Sequence, residues 1–287
     1  MMTSASTPIR NVSDTALWVA IYRAMESERP DAIFNDPYAR RLGGERGEAI
    51  VAHMPRGQAM AWAMIVRTAV MDELIMRCVS QGAKTVLNLA AGLDARPYRL
   101  ALPASLQWYH VDLPDMINYV KERMAGEAPR CRLEFVAADL TDSAQRRGLF
   151  ERAAANGPVL VITEGLLIYL ERDQVAGLAR ELHHVAKAKW WISDLASPML
   201  EKFMKRQWSG KLAAGNAPMK FFPPEGTAFF APFGWREAEH RSTWLESIRL
   251  NRKMKMAWLW GLLGKFQSKK RQLEGQRMSG VVLYEST

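Results

Sequence analysis

The chain has 287 residues, 48% of them apolar and 24% charged, with a formal net charge of +9. That balance fits a globular protein with one large core and excludes an extended disordered chain. No apolar run reaches the about 20 residues of a membrane span, and the first residues lack the basic start and apolar stretch of a secretion signal.

Residues 1–12 read as a flexible tail. A helical cap is expected over 13–81. Ser13 or Asp14 caps a first helix with Leu17, Ile21, Ala24 and Met25 on one side, and Gly43-Gly44 ends a second short piece. A longer helix is expected from Gln58 to about Val79. From Gly82 to the end the chain reads as one α/β domain. Short apolar runs predict strands at Lys84–Leu89, Gln107–Val111, Leu133–Ala137, Val159–Thr163 and Trp190–Asp194. Helices are expected near Met116–Ala125, Ala144–Ala155 and Arg172–Ala186, an alternation that gives right-handed βαβ units and a mainly parallel sheet. Beyond Asp194 the pattern weakens. A helix is expected over Ser197–Ala214, a Pro/Gly/Phe-rich loop over Lys220–Gly234, and a last strand over Ser279–Glu285. Segments at about 197–234 and 245–275 read as a lid insertion in the C-terminal half.

Cys78 and Cys131 lie 53 residues apart with no CxxC or Cys/His cluster, as expected of two reduced thiols in a cytoplasmic protein without a disulfide or metal site. From Arg241 to Thr287, ten Lys/Arg stand against three Asp/Glu. A basic end can meet an anionic substrate, an acidic partner or a membrane surface, but a solvated face is the plainer reading. Met256–Phe266 is apolar all round rather than along one stripe, which favours burial over peripheral membrane contact. No nucleic-acid partner is expected, and the oligomeric state is not legible.

The most telling segment is Thr85-Val-Leu-Asn-Leu-Ala-Ala-Gly-Leu-Asp94, followed twenty residues after Gly92 by Asp112 in Trp-Tyr-His-Val-Asp-Leu-Pro. A buried strand, a small-residue turn and a second strand ending on a carboxylate suit a nucleoside: backbone approaches the ligand and the acid takes ribose hydroxyls. A nicotinamide-binding oxidoreductase could use the same geometry, but no GxGxxG follows Leu89. Glu164 stands at the carboxyl end of another strand, where open α/β sheets bind ligands. Arg67 sits on an otherwise apolar helical face, where an unpaired guanidinium is costly. It either reaches a ligand or pairs with Asp72 or Glu73.

Together these segments resemble the leucine carboxyl methyltransferase-like family, in its bacterial O-methyltransferase branch. The matching stretches are Glu28-Arg-Pro-Asp-Ala-Ile-Phe-Asn-Asp-Pro-Tyr-Ala39, Arg67-Thr with Asp72, Val86-Leu-Asn-Leu-Ala-Ala-Gly-Leu-Asp-Ala-Arg-Pro-Tyr-Arg-Leu100 and Val111-Asp-Leu-Pro. Ala138-Asp-Leu140, Glu164-Gly-Leu-Leu-Ile-Tyr-Leu170 and Phe233-Gly-Trp235 follow in the family's order. The resemblance implies a class I methyltransferase (Rossmann-like) fold with a mainly parallel seven-stranded sheet, and S-adenosylmethionine (SAM) as cofactor. The family opens its cofactor loop with Gly-Ala-Gly; here Ala90 takes the first position, ahead of Ala91 and Gly92.

By that resemblance Asp112, with Leu113, takes the ribose and Asp139 with Leu140 the adenine, although either acid could instead cap a helix. Arg67 reaches the methionine carboxylate, and Glu164 with Gly165 pairs with the ammonium group. Tyr169 lies near the point of transfer, orienting the acceptor or packing in the core. Arg23, Phe230 and Trp235 complete a substrate pocket, Arg23 holding an acidic substrate or else sharing the cofactor carboxylate with Arg67, and being otherwise an exposed charge. The aromatic loop Phe221–Phe233, with Trp258 and Trp260, forms either a lid or core packing. Asp94 and Arg96 are expected to pair with each other. The function implied is SAM-dependent O-methylation of a carboxylate or hydroxyl on a small, partly apolar acceptor. A protein C-terminal carboxylate and a non-catalytic SAM-binding module are the alternatives. His53, His110, His183, His184 and His240 lie outside the family's motifs and read as structural, which leans toward an acceptor that needs no base.

Overall fold

The computed structural model describes residues 12–53, 57–208, 218–253 and 268–287. Three helices come first: α1 (Val12–Ser27), α2 (Ala39–His53, kinked at Gly44) and α3 (Gly57–Ser80). The alternating part follows as β1 (Thr85–Leu89), α4 (Arg96–Arg99), β2 (Gln107–Asp112), α5 (Pro114–Arg123) and β3 (Arg132–Ala137). It continues through α6 (Ser143–Ala154), β4 (Val159–Thr163), α7 (Arg172–His184), β5 (Ala188–Ala196) and α8 (Pro198–Trp208). The chain closes with β6 (Trp235–Ser242), α9 (Thr243–Arg249), a short helix Lys269–Gln276 and β7 (Ser279–Ser286).

The strands form one sheet in the order β3-β2-β1-β4-β5-β7-β6, and β7 alone runs antiparallel to its neighbours. β1 and β4 are buried at every position, so both read as mainly apolar runs, with Thr85, Asn88 and Thr163 the polar residues among them. Period-2 alternation divides their side chains between two cores. Leu87, Leu89, Val159 and Val161 meet α6 and α7 on one face. Val86, Leu160 and Ile162 meet Val70, Met71, Leu74 and Cys78 of α3 on the other. α3 therefore covers the sheet itself, while α1 lies against the turn at its carboxyl edge and α2 packs on α1 and α5. Chain direction out of the sheet reverses between β1 and β4, since β2 lies on one side of β1 and β4 on the other. That switch point opens a crevice beyond the strand ends, where α/β sheets hold ligands.

All six expected strands occur within two residues of their expected ends. β6 was not foreseen. Its sequence alternates Arg236, Glu237, Glu239 and Arg241 with few apolar residues, the pattern of an edge strand protected by charge. Asp14 does not cap α1; it lies inside the first turn and pairs with Arg46 of α2, Oδ1 to Nε at 2.7 Å.

The aromatic loop takes the second of its two expected roles, core packing. Phe221, Phe229 and Phe230 are buried, with Phe230 at 0% exposure and Trp235 at 1%. Trp191 stands at the centre of this cluster, its ring centroid 5.1 Å from Phe230 and 5.3 Å from Trp235. Trp235 satisfies its indole N–H by donating to the Ala179 carbonyl at 2.9 Å. Phe230 and Trp235 are therefore core residues under α7, presenting no surface to an open substrate pocket, and the described part of this loop is not a lid. Trp258, Trp260 and the stretch Met256–Phe266 lie outside the described residues.

Candidate cofactor site

The turn after β1 bends through left-handed conformations at Ala90 (φ 51°) and Gly92 (φ 52°). Asp112, the last residue of β2, fastens it. Oδ2 accepts from the Gly92 N–H at 2.7 Å and Oδ1 from the Leu113 N–H at 2.8 Å. Each oxygen keeps a lone pair for a sugar hydroxyl. Burial pushes the Asp112 carboxyl up from its ordinary value, against the pull of those two N–H donors. Asp112 is not a helix cap: α5 starts at Pro114, and Leu113 precedes it with no side-chain bond. Leu113 is 48% exposed beside the carboxylate, an apolar face at the rim of the crevice.

Glycine at position 92 has a packing reason besides its φ, because a Cβ there would stand 3.3 Å from the Ala16 Cβ of α1. Ala90 has no such freedom and holds a left-handed turn at a cost of about 1 kcal/mol. Ala90→Gly is expected to stabilise the protein by up to about 1 kcal/mol, a Tm rise of about 2 °C by calorimetry. A lowered Tm would show that the turn tolerates the methyl group without strain.

Asp139 and Leu140 follow β3 on the neighbouring strand end. Asp139 Oδ1 accepts from the Thr141 N–H at 2.8 Å and its hydroxyl at 2.7 Å, while Oδ2 takes no hydrogen bond among the described residues. The cap of α6 is Asp142, so Asp139 is not spent on the helix.

The other side of the crevice is a buried network of charges. Arg67 of α3 pairs with neither Asp72 nor Glu73. Its Nε donates to Glu164 Oε1 at 3.0 Å and its Nη1 to Asp194 Oδ2 at 2.9 Å. Asp72 is taken by Arg96 (2.6 Å) and Arg99 (2.7 Å), and Glu73 by Arg241 and Arg249. Arg96 is 2% exposed and also reaches Asp94 at 2.8 Å, as expected, and Glu164 Oε2 at 2.7 Å. Burial would raise the Glu164 carboxyl, but Arg96 and Arg67 outweigh it and hold it at about 2. Gly165 (φ 67°) follows; its N–H donates to Asp194 Oδ1 at 2.7 Å, and a Cβ there would come within 3.5 Å of the Arg67 guanidinium.

Helix α1 closes over this crevice. Arg23 is not an exposed charge: it is 8% exposed, its Nε pairs with Asp36 at 2.9 Å, and its Nη2 donates to the Leu93 carbonyl at 2.6 Å. It is a strut from cap to cofactor loop, and its Nη1 takes no hydrogen bond among the described residues. Tyr169, in a 3-10 turn after β4, is hydrogen-bonded to Thr15 of α1, and burial pushes its phenol up. Beneath the loop, His110 Nε2 lies 3.1 Å from the Gly92 carbonyl, and burial pushes its pKa down.

The crevice thus brings together Ala90, Ala91, Gly92, Asp112, Leu113, Asp139 and Leu140 on one side and Arg67, Glu164, Gly165 and Tyr169 on the other. It adds Asp194, Asp72 and Arg99, to which no ligand or positioning role was assigned from sequence. Asp194 carried the same signal as Asp112 and Glu164, an acid at the carboxyl end of a strand. A cavity of ≈190 Å³ lined by Arg77, Gln81, Ala238, Glu239, Leu283 and Glu285 lies at the amino end of the strands and holds none of these groups.

The leucine carboxyl methyltransferase family model matches residues 16–183. The chain belongs to the leucine carboxyl methyltransferase family. A protein of Parafrankia sp. (strain EAN1pec), provisionally named an S-adenosyl-L-methionine-dependent methyltransferase, is 34% identical over 255 residues, covering 81% of this chain and 79% of its own. One of Mycobacterium tuberculosis (strain H37Rv), named in the same terms, is 36% identical over 177 residues, 56% of this chain and 58% of its own. Among solved structures, a DUF574 family protein from Streptomyces avermitilis superposes with a TM-score of 0.56 at 14% identity, over 94% of this chain and 97% of its own. At that identity the match speaks to fold alone. This member of the family is a SAM-dependent methyltransferase with the class I fold, and SAM is its cofactor.

The crevice fits that cofactor. Asp112 has free acceptor capacity of the kind a ribose diol needs, Asp139 Oδ2 is open to a donor such as the adenine amine, and Arg67 and Glu164 carry the opposite charges that a zwitterion would require. Of the basic C-terminal residues, Arg241, Arg249, Arg252 and Arg277 are engaged with Glu246, Glu73, Glu26 and Glu237. Among the described residues no helix is long and apolar enough to cross a membrane.

Proposed function

We propose that this methyltransferase methylates an oxygen of a small, partly apolar acceptor, and that the oxygen belongs to a carboxylate. The observation that supports the reading is that these groups at the crevice are already engaged, Tyr169 with Thr15, His110 with the Gly92 carbonyl and Glu164 with Arg67 and Arg96. Tyr169 is pushed up by burial and keeps its proton at neutral pH. His110 is pushed down by burial and engaged with the Gly92 carbonyl. Glu164, held at about 2, is too weak a base to take a proton from a hydroxyl. A carboxylate, with a reference pKa near about 4, arrives already ionised, whereas a phenol near about 10 needs help.

In this reading Ala90, Ala91 and Gly92 let the backbone approach the cofactor while Asp112 with Leu113 and Asp139 with Leu140 grip the adenosine. Arg67 takes the methionine carboxylate, and Glu164 and the Gly165 turn take the ammonium group. Tyr169 orients the acceptor, and α1 keeps water out. Bound SAM would supply an electrophilic methyl group on a sulfonium, to be passed in line to the acceptor oxygen as the carbon–sulfur bond breaks and S-adenosylhomocysteine leaves; the protein's share is alignment and exclusion of water.

The test pairs carboxylic acids with the alcohols and phenols of the same carbon skeletons, incubated with methyl-labelled SAM. The expected product loses its label to mild base, as a methyl ester does. Its rate should vary little between about pH 6 and 8, because the acceptor is ionised throughout. A base-stable ether, or a rate rising about tenfold per pH unit, would assign a hydroxyl acceptor instead.

A further inference from the structure

We propose that Asp194 is a positioning residue of the cofactor site and sets its preference for the sulfonium cofactor over the demethylated product. The inference rests on the reading above that places the methionine end of SAM at Arg67, Glu164 and Gly165. Asp194 divides its two oxygens between those partners: Oδ2 holds Arg67 Nη1 at 2.9 Å and Oδ1 holds the Gly165 N–H at 2.7 Å. It therefore fixes both the guanidinium that meets the cofactor carboxylate and the backbone turn beside the ammonium group.

The charge count gives it a second role. Arg23, Arg67, Arg96 and Arg99 face Asp36, Asp72, Asp94, Glu164 and Asp194, four cations against five anions. The network carries one surplus negative charge. Asp194 is the most open of its carboxylates, with 25% of its side chain exposed against 16% or less for the others, so the surplus faces the crevice. SAM brings a sulfonium and an ammonium against one carboxylate, a net +1. Once the methyl group has left, the thioether product is a neutral zwitterion. Both ligands offer the same adenosine and amino-acid contacts, so only the sulfonium feels the surplus, in a site sheltered from solvent screening. The product is then favoured to leave, and fresh cofactor to replace it.

Titration calorimetry with SAM and with S-adenosylhomocysteine tests this on the wild-type chain, Asp194→Asn and Asp194→Glu. The ratio of the two Kd values should fall about tenfold in Asp194→Asn and return in Asp194→Glu. An unchanged ratio in Asp194→Asn overturns the proposal. The wild-type chain supplies a check that does not depend on the variants folding. An analogue of the product carrying a protonated amine where the sulfonium stands should bind more tightly than the product itself, and equal affinities overturn the proposal. Asp112→Ala separates this from failure of the site reading. If Asp112→Ala weakens SAM and product together while Asp194→Asn leaves their ratio alone, only the role of Asp194 falls. If Asp112→Ala weakens neither, the whole placement falls with it.

Discussion

Arg96→Ala is expected to lower folding stability by about 3–5 kcal/mol, the cost of breaking a buried ion pair by removing one partner. The guanidinium is almost fully buried and, among the described residues, alone touches Asp72, Asp94 and Glu164 at once. Its loss leaves three buried carboxylates to Arg67 and Arg99, and Asp94 without an ion-pair partner among the described residues. The effect should depend on pH with a definite sign. Glu164 is depressed from 4.5 to about 2 in the folded chain, so its stabilisation is complete above 4.5 and is lost as the pH falls through about 2. A depression of that size corresponds to roughly 3 kcal/mol as an upper figure, shared between Arg96 and Arg67. Urea denaturation should therefore show a large gap between wild type and variant at about pH 7, narrowing as the pH drops from 4.5 toward about 2. A gap under about 1 kcal/mol at neutral pH would mean that Arg96 is screened like a surface charge.

Asp112→Ala is expected to weaken SAM binding at least tenfold in calorimetry, since the two charge-assisted hydrogen bonds proposed to the ribose would be worth more than that together. Asp112→Asn should fall between the two, because the amide oxygen can still accept from the Gly92 N–H while the second oxygen is lost. Part of the alanine effect comes through the protein. Without Oδ2 the Gly92 N–H loses its partner and the turn that frames the cofactor loosens. Thermal unfolding of the ligand-free variants separates the two contributions. Unchanged SAM affinity in Asp112→Ala would remove the residue from the site.

Most of the sheet was legible because central parallel strands must be apolar on both faces, and β1 and β4 could hardly be read otherwise. β6 was not, because an edge strand buries little: only Trp235 and Ser242 of its eight residues are buried, and the charges between them resemble a loop. The crevice was legible where one residue carries its own signal, as Asp112 does by ending a buried strand next to a small-residue turn. It was illegible where the signal is shared. That Arg67 should choose Glu164 and Asp194, 97 and 127 residues away, over Asp72 five residues on, follows only from the sheet that carries both acids to its face. Phe230 and Trp235 were misplaced for the opposite reason: aromatic residues in a loop advertise a ligand and a core equally well, and here the core claimed them.

The position of β7 has a consequence for how the chain is made. Residues 279–286 insert between β5 and β6, so a nascent polypeptide cannot join β6 to the sheet until those residues have left the ribosome. Arg252 likewise clamps Glu26 of α1, made 226 residues before it. Synthesis stopped short of residue 279 would therefore leave β6 unmoored, with Trp235 as adhesive surface for chaperones or for other unfinished copies.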